Sequence, residues 1–184
     1  FNPAARPRIL QERPCTAAVD GDGGMGQVGA TFATQLAIDK AKRAGLEVVG
    51  SLDRCPNWAS SAPAGTPRGG FYTGIGAWVP RDWSEWETYV ARTVERYKAS
   101  IHIWEVWNEP NLTNWLIPAA GQTRAQAYVE MLRHTTPIVR RVDPAATVIG
   151  GCVAGALTEN AEAWRFARDI IGMGALELMD VFSF

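Results

Sequence analysis

The side chains best placed to do chemistry in this sequence lie between Ile101 and Trp115, in the run Ile-His-Ile-Trp-Glu-Val-Trp-Asn-Glu-Pro-Asn-Leu-Thr-Asn-Trp. Ile101, Ile103, Trp104, Val106 and Trp107 make a short β-branched and aromatic segment, the composition of a strand buried on both faces. Pro110 stops it, because proline has no N–H to give a ladder, and it biases Glu109 towards extended geometry at the C-terminal lip of the strand. A carboxyl group at such a lip is a candidate acid. A dry, tryptophan-lined pocket or a second carboxylate would favour its protonated form by penalising the charge. Glu105, four residues back on the same strand, is about 13 Å away at strand rise and suits a deeper place beside an arginine. Asp53, just after the preceding strand, is a candidate hydroxyl-binding group or a loop cap, Arg54 a partner for Asp53 or a substrate contact, and Asp180 a structural group at the opposite mouth.

Other chemistries find little support. Two histidines, His102 and His134, do not build a histidine metal site, and Cys15, Cys55 and Cys152 include no Cys-x-x-Cys, although a disulfide between two of them stays open. The glycine-rich stretch Asp20 to Gly24 lacks the Gly-Lys-Ser/Thr ending of a phosphate loop and the closing glutamate of a calcium loop. Neither a metal nor a cofactor is therefore expected.

Trp-Asn-Glu-Pro-Asn at 107 to 111 resembles the fourth-strand signature of the clan A retaining glycoside hydrolases, which are (β/α)8 barrels. The longer run, from Trp104 through Leu112 and on to Trp115, is most similar to glycoside hydrolase family 39, the β-xylosidase and α-L-iduronidase family, and to the family 5 type cellulase-like proteins near it. Cys55-Pro56-Asn57-Trp58-Ala59-Ser60 resembles the Pro-x-Trp-Ala stretch after the third strand of family 39, where the loop borders the sugar pocket. The resemblance implies a retaining O-glycoside hydrolase, with Glu109 as general acid/base and Asn108 on the sugar 2-hydroxyl. It also implies Trp58 as a stacking platform and Trp115 as the wall of a sugar subsite. Eight tryptophans suit a carbohydrate ligand, because flat rings stack on the apolar faces of sugars, although core filling accounts for about half of them.

Retention needs two carboxyl groups about 5 to 5.5 Å apart, one to protonate the leaving oxygen and one to attack the anomeric carbon. The clan carries the attacking group on its seventh strand, which the resemblance puts beyond Phe184. The 184-residue chain by itself is accordingly expected to be inactive, and its partner is the remainder of its own catalytic domain. Asn111-Leu112-Thr113 forms a glycosylation sequon, expected to stay unmodified because a glycan there would block the pocket.

The elements that must hold these residues alternate. Residues 1 to 30 read as irregular. Thr31 to Ala44 reads as a helix stopped by Gly45, with Phe32, Leu36, Ala37 and Ala41 apolar, and Leu46 to Leu52 reads as a strand. After the long loop 53–81, Asp82 and Glu85 form a capping pair for a helix to Lys98. Thr123 and Gln126 form another for a helix to Val142, followed by a strand at Thr147 to Gly151. A helix over Asn160 to Ile171, with Trp164, Ala167, Ile170 and Ile171 inward, leads to a last strand, Met179 to Phe184. Crossovers of this length imply an α/β fold with a parallel sheet. With Glu109 ending the fourth strand, residues 31–184 correspond to strands three to six, about half of a TIM barrel.

A chain of 184 residues with 47% hydrophobic content supports one sizeable core. A net charge of -1, from 18 basic and 19 acidic residues without clustering, gives no footprint for nucleic acid or an anionic membrane. No apolar run is long enough to cross a bilayer. Two other readings accompany the glycosidase: an inactive carbohydrate-binding barrel homologue, and a half-barrel that dimerises through sheet edges left at Leu46–Leu52 and Met179–Phe184.

Overall fold

The structure, a computed structural model, describes residues 8–12, 26–55, 57–67, 74–155 and 160–184, with side-chain burial from Gln35 onward. The elements are β1 (Arg8–Glu12), α1 (Gly26–Arg43), β2 (Leu46–Leu52), α2 (Trp83–Tyr97), β3 (Ile103–Val106), α3 (Arg124–Val142), β4 (Thr147–Gly150), α4 (Ala161–Gly172) and β5 (Val181–Phe182), with short 3-10 turns at Ile75–Ala77 and Ala175–Leu178. Every strand pairs with its sequence neighbour in parallel, in the order β1-β2-β3-β4-β5.

This is the expected α/β alternation, with one strand more. β1 lies inside the stretch read as irregular, and its Arg8 to Glu12 pair with Leu46 to Gly50. The β2 edge offered for dimerisation is therefore already covered. With the Asn-Glu-Pro strand as fourth, the five strands run from second to sixth. Cys15, the Asp20 to Gly24 stretch and Pro56 lie outside the described residues.

Helix ends follow the local chemistry. Asp82 accepts the Ser84 N–H at 2.8 Å, whereas Glu85, the expected second half of that pair, has a buried Oε2 without a hydrogen-bond partner. Thr123 and Gln126 do form the reciprocal box. Gly45 ends α1 with φ +74°, a value that costs glycine little. α2 buries Trp86, Tyr89, Val90, Thr93, Val94 and Tyr97, and Trp86 Nε1 donates to Thr135 Oγ1 of α3 at 2.9 Å.

One helix face differs from the sequence expectation. On α4, Ala163, Phe166, Ala167 and Ile170 are buried, while Trp164 and Ile171 are 57% and 43% exposed. The apolar stripe is wider than the buried one, and the small Ala163 lets the helix pack rotated away from Trp164. On α1, Leu36 is exposed, and Ile38 and Ala41 carry the packing.

The sheet has two unlike faces. Val48, Leu52, Trp104, Val106 and Val148 join the four helices in one core. Trp104 crosses Gly50 so closely that a Cβ there would stand 2.5 Å from its Cζ3. The alternate positions Val49, Glu105, Ile149 and Val181 line an open cavity of about 330 Å³ on the other face, together with Phe182 to Phe184. Strand period two thus sends Trp104 into the core and Glu105 to the opposite side.

Candidate active site

The C-terminal ends of β2, β3 and β4 converge on Glu109. All four described non-glycine residues with left-handed φ lie there: Arg54 (64°), Trp107 (62°), Glu109 (49°) and Cys152 (50°). Each costs roughly 1–2 kcal/mol for an L residue, and such strain gathers where geometry serves function. Extended backbone was expected for Glu109 before Pro110. The φ of +49° corrects that expectation, and hydrogen bonding supplies the reason. The Glu109 N–H donates to the Cys152 carbonyl at 3.1 Å, and the Glu109 carbonyl accepts the Leu112 N–H at 3.1 Å, so the chain turns at the lip instead of running on.

The preceding residues anchor this turn. The Trp107 N–H donates to the Leu52 carbonyl at 3.0 Å, continuing the ladder to β2. Its ring is buried 6.0 Å from that of Trp86, and its Nε1 donates to the Trp115 carbonyl at 2.9 Å. Asn108 is buried beside it. Beyond the turn, Asn111 Nδ2 donates to the Ala154 carbonyl at 3.0 Å while Asn111 Oδ1 accepts the Ala154 N–H at 2.9 Å, a side-chain copy of a ladder rung between the β3 and β4 loops. The sequon nitrogen is thus engaged on a buried residue. Arg124, at the start of α3, donates to the carbonyls of Asn111 and Leu116 at 3.0 and 3.1 Å.

An acidic layer lies under the turn. Asp53 and Glu105 are 6% and 8% exposed, so both carboxyl groups are held out of bulk water. Burial raises the Cys152 thiol well above its ordinary range; the Glu105 charge, the hydrogen bond to Glu105 and the Asp53 charge raise it further. Burial, then the Asp53 charge, likewise drives the Tyr89 phenol far up. Among the described residues neither Cys55 nor Cys152 forms a disulfide. Among the described residues no three His, Cys, Asp or Glu side chains are arranged to hold a metal ion.

The proposed sugar-facing aromatics are placed differently from one another. Trp115 is half-buried, with the Arg54 guanidinium 5.6 Å from its ring centre, and Arg54 itself is largely buried. Trp58 is 46% exposed on the β2–α2 loop, its carbonyl accepting from Arg81 at 2.7 Å. Asn108, Glu109, Asp53 and, through Trp107, Trp115 follow the C-terminal ends of β2 and β3, and Trp58 stands on the loop after β2. Trp104 and Trp107 are core residues. Tyr128, Cys152 and Asn111 were overlooked as parts of the site, since the sequence presents them as a helix-face aromatic, an odd thiol and a sequon.

A family described as malate/L-lactate dehydrogenase matches residues 1–62. L-sulfolactate dehydrogenase of Methanocaldococcus jannaschii is 49% identical over 49 residues, covering 27% of this chain and 14% of that protein. A β-xylosidase of Geobacillus stearothermophilus is 32% identical over 87 residues, covering 44% of this chain and 16% of that protein. The solved structure of a family 39 glycoside hydrolase from Bacteroides cellulosilyticus WH2 superposes with a TM-score of 0.60 at 18% identity, over 96% of this chain and 31% of the other. The fold is that of part of a (β/α)8 TIM barrel. The partial barrel spans less than a third of the length of each of these three proteins.

Proposed function

We propose that the partial barrel carries the acid/base half of the active site of a retaining O-glycoside hydrolase, with a β-xylosidase-like substrate. The single observation that supports this most is the turn at Glu109. A carboxyl group stands at the C-terminal rim of a parallel sheet, where sites of such barrels are built, and its strained backbone is tied to the next strand.

In this reading the Glu109 acid gives its proton to the glycosidic oxygen while a carboxylate attacks the anomeric carbon. Glu109 then takes a proton from the water that releases the sugar. Asn108 binds the 2-hydroxyl, Asp53 a further hydroxyl, and Trp58 and Trp115 face the sugar rings. The attacking carboxylate comes from a later barrel strand, as the family resemblance implies.

Glu109→Gln in the full-length protein tests the proposal. Glycosides with poor leaving groups should lose about 10²–10⁴-fold in kcat, whereas transfer of the sugar to the enzyme from activated aryl glycosides should be nearly unchanged. An equal loss on both substrate classes would remove the acid role. Binding of xylo-oligosaccharides without any turnover by the unmodified protein would favour the inactive homologue.

The dehydrogenase match to residues 1–62 favours a second reading, in which the N-terminal third descends from a dehydrogenase-like sequence. The matched stretch ends before the Asn-Glu-Pro turn, and the oxidoreductase reading predicts nicotinamide-dependent oxidation of a 2-hydroxy acid. Such turnover would displace the glycosidase reading.

A further inference from the structure

The β3–β4 ladder stops one residue before β3 itself ends at Val106. Paired positions end at Glu105 and Ile149, and beyond them the two strands part. The Tyr128 hydroxyl, carried in from α3, occupies the gap. It donates to the Val106 carbonyl at 3.0 Å and accepts the Gly151 N–H at 2.8 Å. Val106 is the last residue of β3 before Trp107-Asn108-Glu109, and Gly151 (φ +89°) is the residue before Cys152, whose carbonyl receives the Glu109 N–H. One buried phenol therefore fixes the two backbone segments from which Glu109 hangs. Its ring is fully buried and rests 5.8 Å from that of Phe166, so the oxygen has little freedom to move.

We propose that Tyr128 is a positioning residue for the Glu109 acid: its hydroxyl replaces the missing ladder rung and sets the height of the β3 exit relative to the β4 exit. The inference rests on the glycosidase reading. A carboxyl group that must reach a glycosidic oxygen is sensitive to displacements near 1 Å, which cost on the order of 100-fold in rate.

Tyr128→Phe in the full-length protein keeps the ring and its packing and deletes only the hydroxyl. The expected result is a loss of about 10-fold in kcat on glycosides with poor leaving groups, with KM unchanged and transfer of the sugar to the enzyme from activated aryl glycosides slowed less than about 2-fold. A purely structural role would lower both substrate classes together, in step with the folded fraction, and that result overturns the proposal. So does full activity on both. No turnover of any glycoside by the unmodified protein would instead bring down the glycosidase reading. A second measurement needs no variant: in the unmodified protein the Gly151 and Glu109 amides should exchange with solvent at least 10-fold more slowly than neighbouring loop amides. Exchange at loop rates would show that the rung does not hold.

Discussion

The Asn111–Ala154 rung offers the most direct test of how the rim is held. Asn111→Ala removes hydrogen bonds of 3.0 and 2.9 Å on a residue only 8% exposed. At about 1 kcal/mol net for each bond, and with half-buried Ala154 partly open to water, the loss is about 2 kcal/mol. For a domain of this size that lowers Tm by roughly 4–8 °C.

Asn111→Asp sharpens the experiment. Its carboxylate still accepts the Ala154 N–H but sets its other oxygen against the Ala154 carbonyl. Only the protonated acid can donate there, so the folded state raises the pKa of that carboxyl group above its unfolded value of about 3.9. A raised carboxyl pKa means the unfolded chain loses its proton first, so stability falls as pH rises past the unfolded value and levels off above the folded one. The aspartate variant should therefore be less stable than the alanine variant at pH 7 and recover relative to it near pH 4. Urea unfolding of the three proteins at both pH values, followed by tryptophan fluorescence, measures this. An alanine variant within about 0.5 kcal/mol of the unmodified protein, or an aspartate variant without pH dependence relative to it, would refute the rung argument.

Two further outcomes follow from the packing. The Cys152, Tyr89 and Tyr128 side chains all have pKa values raised chiefly by burial. Their contribution to stability is complete below the unfolded values and declines as pH rises through them, so unfolding free energy should hold to about pH 8.5, decline as the unfolded thiol ionises and steepen above about pH 10. A pH-independent stability from 8 to 11 in urea titrations would contradict the burial of these groups. Gly50→Ala would drive a methyl to 2.5 Å from Cζ3 of the fully buried Trp104, and overpacking of that kind should cost about 1–3 kcal/mol in the same urea assay. An unchanged midpoint would mean that Trp104 does not cross β2 there.

Local rules written in the sequence determined most of the architecture. Strand composition, the caps at Asp82 and Thr123, the stops at Gly45 and the alternation of period two with period 3.6 each act within a few residues, and β2, α2, β3, α3 and β4 appear close to where those rules put them. The Trp-Asn-Glu-Pro-Asn run likewise marked the strand end at which Glu109 stands. β1 escaped notice because five residues among prolines and glycines show no period of their own; pairing with β2 makes them a strand.

Tertiary structure alone decided the rest. Whether Trp164 or Ala163 faces inward depends on how closely α4 approaches the sheet, which no periodicity encodes. The left-handed turn at Glu109 runs against the bias imposed by the following proline, and it exists because the Cys152 carbonyl, just beyond the end of β4, meets the Glu109 N–H. Tyr128, Cys152 and Asn111 gain their places at the rim from partners 22 to 43 residues away. A sequence displays neighbours along the chain, whereas the acid is held by neighbours across it.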